Sequence, residues 1–244
     1  MSTSHADRPK AARTDTTPPA RPGWPEVIVG TLAALAALPA IRLFGLVGLD
    51  EDPVAYGLVL TAWSGVAGLT GFAVAALIRI RSWGAFSVRR TSGRWVLIGV
   101  AAGIVALLLK GLLNTGIIAV TGFSADPQGA YGDAAGGGVL PLILTFVFLS
   151  VLTPIGEEFF FRGVVTNALL RYGPVIGVLA SSVFFALVHG INLAFPSALV
   201  VGIIAAEVMR RSGSIWPAVI VHTVNNLALP LLVLLTGAAD TAAV

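Results

Sequence analysis

The sequence of 244 residues contains no cysteine. It can therefore form no disulfide, no thiolate nucleophile and no cysteine-ligated metal site. Charged side chains are also scarce: they make up 11% of the chain, whereas a soluble domain carries about a quarter. So few charges cannot cover the surface of a globular domain in water, which excludes an ordinary soluble enzyme.

Long apolar segments take the place of those charges. Apolar residues make up 56% of the chain, and a helix needs about 20 of them in succession to cross a bilayer. Seven such segments recur, so we predict an all-α fold, a polytopic membrane helix bundle with about seven transmembrane helices. Their approximate bounds are 27–48, 54–78, 95–122, 139–171, 174–190, 193–209 and 214–236.

The basic residues are distributed unevenly between these segments. Lys and Arg occur in the N-terminal tail, in the connection 79–94, at Arg171 and at Arg210 and Arg211, while the alternate connections have none. By the positive-inside rule this pattern predicts a plasma-membrane protein with a cytoplasmic N-terminus and an external C-terminus. The Ala- and Gly-rich composition is typical of bacteria. Because the basic residues lie in a tail and in short loops, the net charge of +3 does not indicate nucleic acid binding.

Ionisable residues inside the apolar segments need a reason, because each costs about 2.5–3.5 kcal/mol to insert on translocon scales. Glu158 and Arg162 are four residues apart, so they can pair on one helix face. Glu157 and His189 each lie 16 residues from Gly173, where the sequence predicts a turn. In an antiparallel hairpin, equal spacing brings these two side chains to the same depth.

A second polar pair, His222 and Asn226, is also four residues apart, in the last apolar segment. Counted from the turn before that segment, Asn226 matches the depth of Glu157 better than His222 does. Lys110 lies in the middle of the third segment, so we expect its side chain to face a partner or a wet cavity.

A carboxylate, two imidazoles and an amide at one depth predict a hydrolytic site. Glu157 has no cation one turn away and suits a general base for water, while His and Asn side chains can stabilise an oxyanion. The same groups could instead hold a divalent metal such as zinc, with candidate ligands Glu157, Glu158, His189 and His222. Structural interpretations also stay open, because Glu158–Arg162 could be only an ion pair and the other polar residues only hydrogen-bond neighbouring helices.

Three short motifs carry these residues in a fixed order. They read Glu157-Glu158-Phe-Phe-Phe-Arg162, then Phe185-Ala-Leu-Val-His189, then His222-Thr-Val-Asn-Asn226. They resemble the EExxxR, FxxxH and HxxxN motifs of the CPBP family, the CAAX-protease and bacteriocin-processing intramembrane peptidases, also called the Abi family. The family includes the type II CAAX prenyl endopeptidases. The resemblance covers about residues 139–232, and the first three apolar segments match no motif.

The resemblance implies a catalytic set of residues, with Glu157 as the base, and a second set that orients or shapes the site. The catalytic set is Glu157, His189, His222 and Asn226, and the second set is Glu158, Arg162 and Phe185. The family has been labelled metalloprotease, but a metal-free glutamate mechanism is also proposed for it. We favour the metal-free mechanism over zinc, because an asparagine is a better oxyanion donor than zinc ligand.

We therefore predict an intramembrane endopeptidase that contacts membrane lipid and cleaves a membrane-embedded or membrane-associated peptide. The chain is predicted to comprise a disordered cytoplasmic tail (1–25), three N-terminal transmembrane helices (26–138), a catalytic four-helix membrane core (139–236) and a short C-terminal tail (237–244). Two alternatives stay open: a non-catalytic immunity or scaffold protein of the same family, and a small proton-coupled transporter. The sequence lacks the internal repeat that is frequent among transporters.

Overall fold

The computed structural model describes residues 20–43, 52–123 and 128–237. Within these ranges every regular element is a helix, so the all-α prediction is confirmed. Most of the predicted N-terminal tail, the acidic connection at 44–51 and the C-terminal tail after residue 237 lie outside the described residues. The first helix begins at Trp24, two residues inside the predicted tail.

Within the described residues, each of the seven predicted apolar segments is mainly helical. The helices are α1 (Trp24–Leu43), α2 (Pro53–Ile78), α3 (Gly93–Thr121), a short α4 (Gly129–Gly136), α5 (Val139–Tyr172), α6 (Pro174–Val188), α7 (Ala194–Ser212), α8 (Trp216–Asn226) and α9 (Ala228–Thr236). Among them α2, α3, α5 and the combined Trp216–Thr236 are long and apolar enough to cross a bilayer. The chain is therefore a multi-pass membrane protein. Helix α4 lies in a connection for which the sequence predicted no helix.

Helices α6 and α7 form an antiparallel hairpin instead of two clear crossings. At about 1.5 Å per residue, the 15 residues of α6 reach about 22 Å, which is shorter than the roughly 30 Å hydrocarbon core. Helix α7 carries three charged residues near its end and is not among the candidate spans of the described chain. Apolar composition alone does not distinguish such a hairpin from a pair of crossings. Both return the chain to the same side, so the predicted orientation of the termini is unaffected.

Helix α5 runs through the middle of the bundle because glycines let α2 approach it closely. A Cβ atom at Gly156 would collide with the backbone of Gly65, and a Cβ atom at Gly68 would collide with the Gly156 carbonyl. Small residues at helix contacts are the usual means of close packing in lipid. The tight α2–α5 contact fixes the depth and rotation of the middle of α5.

The connections that carry basic residues gather at one end of the bundle. The Ile215 backbone N–H, after α7, donates to the Ser87 carbonyl, after α2 (2.9 Å). The Ser87 hydroxyl in turn hydrogen-bonds Asn167 near the end of α5. At the start of α1, the Pro22 carbonyl accepts a hydrogen bond from the Arg171 guanidinium (2.7 Å). We call this the basic end of the bundle. Its composition is what the positive-inside rule requires of a cytoplasmic face.

Candidate active site

Two glutamates enter the bundle where α5 departs from regular winding. Phe148–Leu152 and Phe159–Thr166 are π-helical, and only the six residues Thr153–Glu158 between them are α-helical. π-Helical turns are rare and occur frequently at functional sites. The Thr153 hydroxyl donates to the Thr61 carbonyl of α2. This contact and the glycine packing hold the short α-helical stretch against α2.

Glu158 lies at the centre of a buried polar cluster. One carboxylate oxygen accepts a hydrogen bond from His222 Nδ1 on α8 (2.9 Å), and the other lies 2.9 Å from Arg162 Nε. The predicted Glu158–Arg162 pair is therefore present, with the two side chains 0% and 1% exposed. The short N–O distance is an ion contact without hydrogen-bond geometry. Arg162 also donates to the Gly202 carbonyl (3.3 Å) and stacks over the Phe185 ring (4.5 Å).

Glu157 faces both histidines. Its Oε2 atom lies 3.9 Å from His189 Nε2 and 3.9 Å from His222 Nε2. This oxygen is buried, and no side chain or backbone group in the described ranges donates a hydrogen bond to it. The equal spacing of Glu157 and His189 about Gly173 therefore did predict their proximity. The two neighbouring glutamates have different surroundings, since Glu158 is paired and Glu157 opens toward a shared point between the imidazoles.

The partners of the outer imidazole nitrogens fix which nitrogen faces Glu157. His189 Nδ1 lies 2.8 Å from the Phe185 carbonyl oxygen, which can only accept, so Nδ1 carries a hydrogen. His222 Nδ1 likewise donates to the Glu158 carboxylate. In their neutral forms both rings then present an Nε2 lone pair to Glu157. Three acceptor atoms thus converge on one point, where a water molecule can donate its two hydrogens to two of them at a time.

His189 owes its position to the end of α6. It caps that helix, and Gly190 (φ 84°) turns the chain into the tip between α6 and α7. Non-helical backbone at bilayer depth is tolerated where it is buried in protein or lines a wet cavity. The tip at 189–193 therefore indicates that water reaches this level of the bundle.

The prediction that Asn226 matches the depth of Glu157 better than His222 is wrong. Helix α8 brings His222, not Asn226, beside the two glutamates, and the Asn226 side chain donates to the Leu149 carbonyl instead (3.0 Å). Leu149 lies in the first π-helical stretch of α5. Asn226 also accepts a hydrogen bond from Asn225 (2.9 Å). Its amide lines the site but is already engaged with this backbone carbonyl.

The predicted residues share a polar cavity of about 70 Å³, which has room for a few water molecules. Glu157, His189, His222 and Asn226 all line it, and so does Phe185. The wall also contains polar residues outside the fixed motif positions, of which only Lys110, a cation in mid-span, stood out in the sequence. These are Ser64, Lys110, Gln128, Tyr131, Thr153, Ser197 and Asn225.

Tyr131 reaches this cavity from α4, the short helix between spans. Burial, together with the nearby charges of Glu157 and Tyr56, raises the pKa of its phenol to about 12. The phenol therefore stays protonated at any physiological pH and can donate a hydrogen bond. Nothing in the sequence pointed to this residue, because a tyrosine in a connection is ordinarily a surface or interface residue.

The candidate zinc ligands lie farther apart than they would around a bound zinc ion. A tetrahedral zinc ion with bonds of about 2.0–2.1 Å holds its ligand atoms roughly 3.4 Å apart, whereas Glu157 Oε2 lies 3.9 Å from each Nε2. Glu158, another candidate ligand, is already paired with Arg162 and His222. Within the described ranges, no three His, Asp or Glu side chains are arranged to hold a metal ion.

A larger and more apolar cavity of about 330 Å³ adjoins the same point. It lies between α1, α2, α5 and α6, and its wall includes Leu35, Phe160, Phe184 and Val188 as well as Glu157. An apolar side chain would fit this wall. The carboxylate therefore lies between a small polar cavity and a larger apolar one.

The polar site coincides with the part of the chain that resembles known proteins. The family model for Rce1-like type II CAAX prenyl endopeptidases matches residues 139–228, which include all three motifs. The resemblance found in the sequence is thus confirmed for this segment. The family description names neither a metal nor the Abi group. No curated protein and no solved structure matches the chain.

Proposed function

We propose that this chain is an intramembrane endopeptidase that uses a glutamate-activated water, as the match of residues 139–228 to the model for Rce1-like type II CAAX prenyl endopeptidases suggests. One observation carries the proposal: Glu157 Oε2 lies 3.9 Å from the Nε2 atoms of both His189 and His222. A water molecule between these three atoms has a carboxylate as proton acceptor and two imidazoles that orient it.

In the first step, the oxygen of this water bonds to the carbonyl carbon of the substrate peptide. Glu157 accepts the proton that the water releases, and the carbonyl π electrons move to oxygen to form a tetrahedral oxyanion. General-base catalysis of this kind contributes about 10²–10⁴-fold to a rate. The water's second hydrogen is donated to the Nε2 atom of His189 or His222, which holds the water in line.

In the second step, Glu157 returns its proton to the amide nitrogen of the tetrahedral intermediate. The C–N bond breaks, and the products are a new carboxyl terminus and a new amine. Because the same carboxyl group accepts and then donates one proton, no other group has to change its net protonation.

Glu158 acts through His222 in this mechanism and is a positioning residue. Its hydrogen bond to Nδ1 (2.9 Å) fixes the ring orientation, and Arg162 neutralises its charge. A carboxylate behind a catalytic imidazole holds the correct tautomer in other hydrolases too. The second N–H of the Asn226 amide remains for the oxyanion, as the family resemblance suggests.

The substrate in this proposal is a peptide segment that lies at bilayer depth. The apolar cavity beside Glu157 receives one of its side chains, and the polar cavity supplies water. The proposal extends to a plasma-membrane location with a cytoplasmic N-terminus, because the basic connections share one end of the bundle.

The test compares Glu157→Gln with a matched control, Glu207→Gln. Glu207 pairs with Arg210 and Arg211 at the basic end, outside the site. Each variant and the wild type is expressed in a host that lacks the protein, and the N-termini of the host's membrane proteins are labelled and sequenced. We expect new N-termini within apolar segments for wild type and Glu207→Gln, and their loss for Glu157→Gln.

Equal amounts of folded protein in the membrane are required for the comparison and are measured on the same samples. If Glu157→Gln produced the same new N-termini as the wild type, Glu157 would not be the base. If the wild type produced none in any host, the non-catalytic scaffold would be favoured.

A further inference from the structure

Free hydrogen-bond donors are scarce where the oxyanion would form. The neutral imidazoles of His189 and His222 each use their N–H at Nδ1, on Phe185 and Glu158. The Asn226 amide already donates to a backbone carbonyl. An oxyanion nevertheless needs donors aimed at it, and in a water-poor site a cation is especially effective. Among the motif residues, the second N–H of the Asn226 amide is left for the developing charge, and the one cation, Arg162, is already paired with Glu158.

Lys110 of α3 lines the same polar cavity. It lies 11, 7 and 4 residues after Gly99, Gly103 and Ala106, which share one helix face. The two glycines contact α8, and Ala106 is fully buried against α7 and α8. Long side chains on a helix point back toward its N-terminus, so from this face the ammonium is directed into the bundle beside α8. Within the described residues no carboxylate or carbonyl holds it.

The charges in the interior balance only if Lys110 is counted. Glu158 is neutralised by Arg162 at 2.9 Å, which leaves the Glu157 carboxylate without a cation while both histidines are neutral. Lys110 is the remaining cation that shares a cavity with Glu157. A buried charge is stable only with a compensating partner, and water in the cavity can bridge the two groups.

We propose that Lys110 is a further catalytic residue: its ammonium balances Glu157 before reaction and donates a hydrogen bond to the substrate oxyanion during it. When Glu157 takes the water proton, the negative charge moves from the carboxylate to the carbonyl oxygen. Both positions border one cavity, so the same cation serves both states without a large reorganisation. The catalytic part of this inference rests on the proposed peptidase activity.

A stability measurement tests the charge balance without any substrate. Lys110→Met, Glu157→Gln and the double variant are purified in detergent, and their thermal unfolding midpoints are compared with wild type. We expect Lys110→Met to lower the midpoint. The decrease in the double variant should be smaller than the sum of the changes in the two single variants. Leu112→Met, at a position that is 73% exposed on α3, is the control and should not shift it. Additive shifts would overturn the proposal.

A kinetic measurement tests the catalytic role. The probes are a peptide covering the first cleavage site mapped in the membrane proteome, and its phosphinic analogue, whose tetrahedral group is anionic. For Lys110→Met we expect kcat to fall about 100-fold or more with KM nearly unchanged, and the analogue to lose far more affinity than the peptide. Lys110→Arg, which keeps the charge, should retain most of the preference for the analogue.

The two measurements separate the possible failures. Coupled stabilities together with an unchanged kcat would overturn the catalytic role of Lys110 and leave it a counterion of Glu157. Equal losses of affinity for peptide and analogue would overturn it as well, because they indicate damaged packing. If instead Glu157→Gln cleaved the peptide normally, the proposed function would fail, while the stability comparison would still decide the charge balance.

Discussion

Removing the Glu158 carboxylate should expose how much of the bundle's stability depends on a buried cation. Arg162 is 1% exposed, and its other contacts are a 3.3 Å hydrogen bond to Gly202 and the Phe185 ring. Breaking one side of a buried ion pair typically costs about 3–5 kcal/mol, because the remaining charge has lost its partner. We expect Glu158→Gln to lower the free energy of unfolding by about this amount.

Replacing the cation as well should reverse much of that loss. In Glu158→Gln/Arg162→Met neither member of the buried pair is charged, so we expect the double variant to be more stable than Glu158→Gln alone. It should stay inactive, because His222 Nδ1 then faces a neutral amide in place of a carboxylate. Unfolding is followed by helical circular dichroism as SDS is added to protein in a mild detergent, and activity is measured on the same preparations.

Glu207→Gln is the control, because its pair at the basic end is partly exposed and such pairs contribute only about 0–1 kcal/mol. If Glu158→Gln unfolded at the same SDS fraction as the wild type, the reasoning about the buried charge would be refuted. The same holds if the double variant were no more stable than Glu158→Gln.

Three further outcomes are expected. Gly156→Ala should sharply reduce the amount of folded protein, because the added methyl group would collide with the Gly65 backbone. The yield of monodisperse protein measures this effect, and a normal yield would contradict the close contact. Reporter fusions at Ser87 and Ser212 should report cytoplasm and a fusion at Asp133 the outside, and a reversed pattern would refute the orientation. Chelators should leave activity intact, and activity that disappears on chelation and returns with stoichiometric zinc would refute the metal-free site.

The sequence predicted the site where local geometry alone decides it. Glu158 and Arg162 lie one helical turn apart, and Glu157 and His189 flank a turn symmetrically, so helix periodicity and counting were sufficient. Counting failed for Asn226, because α5 winds partly as a π-helix and the level of each residue is set by packing between helices. Depth estimates that assume uniform α-helices lose accuracy in such segments.

The remaining site residues could not be identified from motifs. Tyr131 lies in a connection that the sequence left without structure, and only the folding of α4 against α2 brings it to the cavity. Lys110 was predicted to face a partner or a wet cavity, and it lines the polar cavity; which cavity it reaches depends on how α3 packs on α8. The α6–α7 region was difficult for a related reason, since apolar composition does not give the length of each helix, and α6 has only 15 residues.

Because α5 contains two π-helical stretches, the direction in which its two carboxylates point does not depend on how the ends of the helix are rotated. A π turn holds more residues than an α turn, so each stretch shifts the angular phase of everything beyond it. The rotation of the six residues Thr153–Glu158 about the helix axis is therefore set by their own contacts. These are the packing of Gly156 against α2 on one side and the hydrogen bond from His222 on the other. The sequence, the tilt and the hydrophobic length of the lipid-facing ends of α5 can therefore change while the two carboxylates keep their direction.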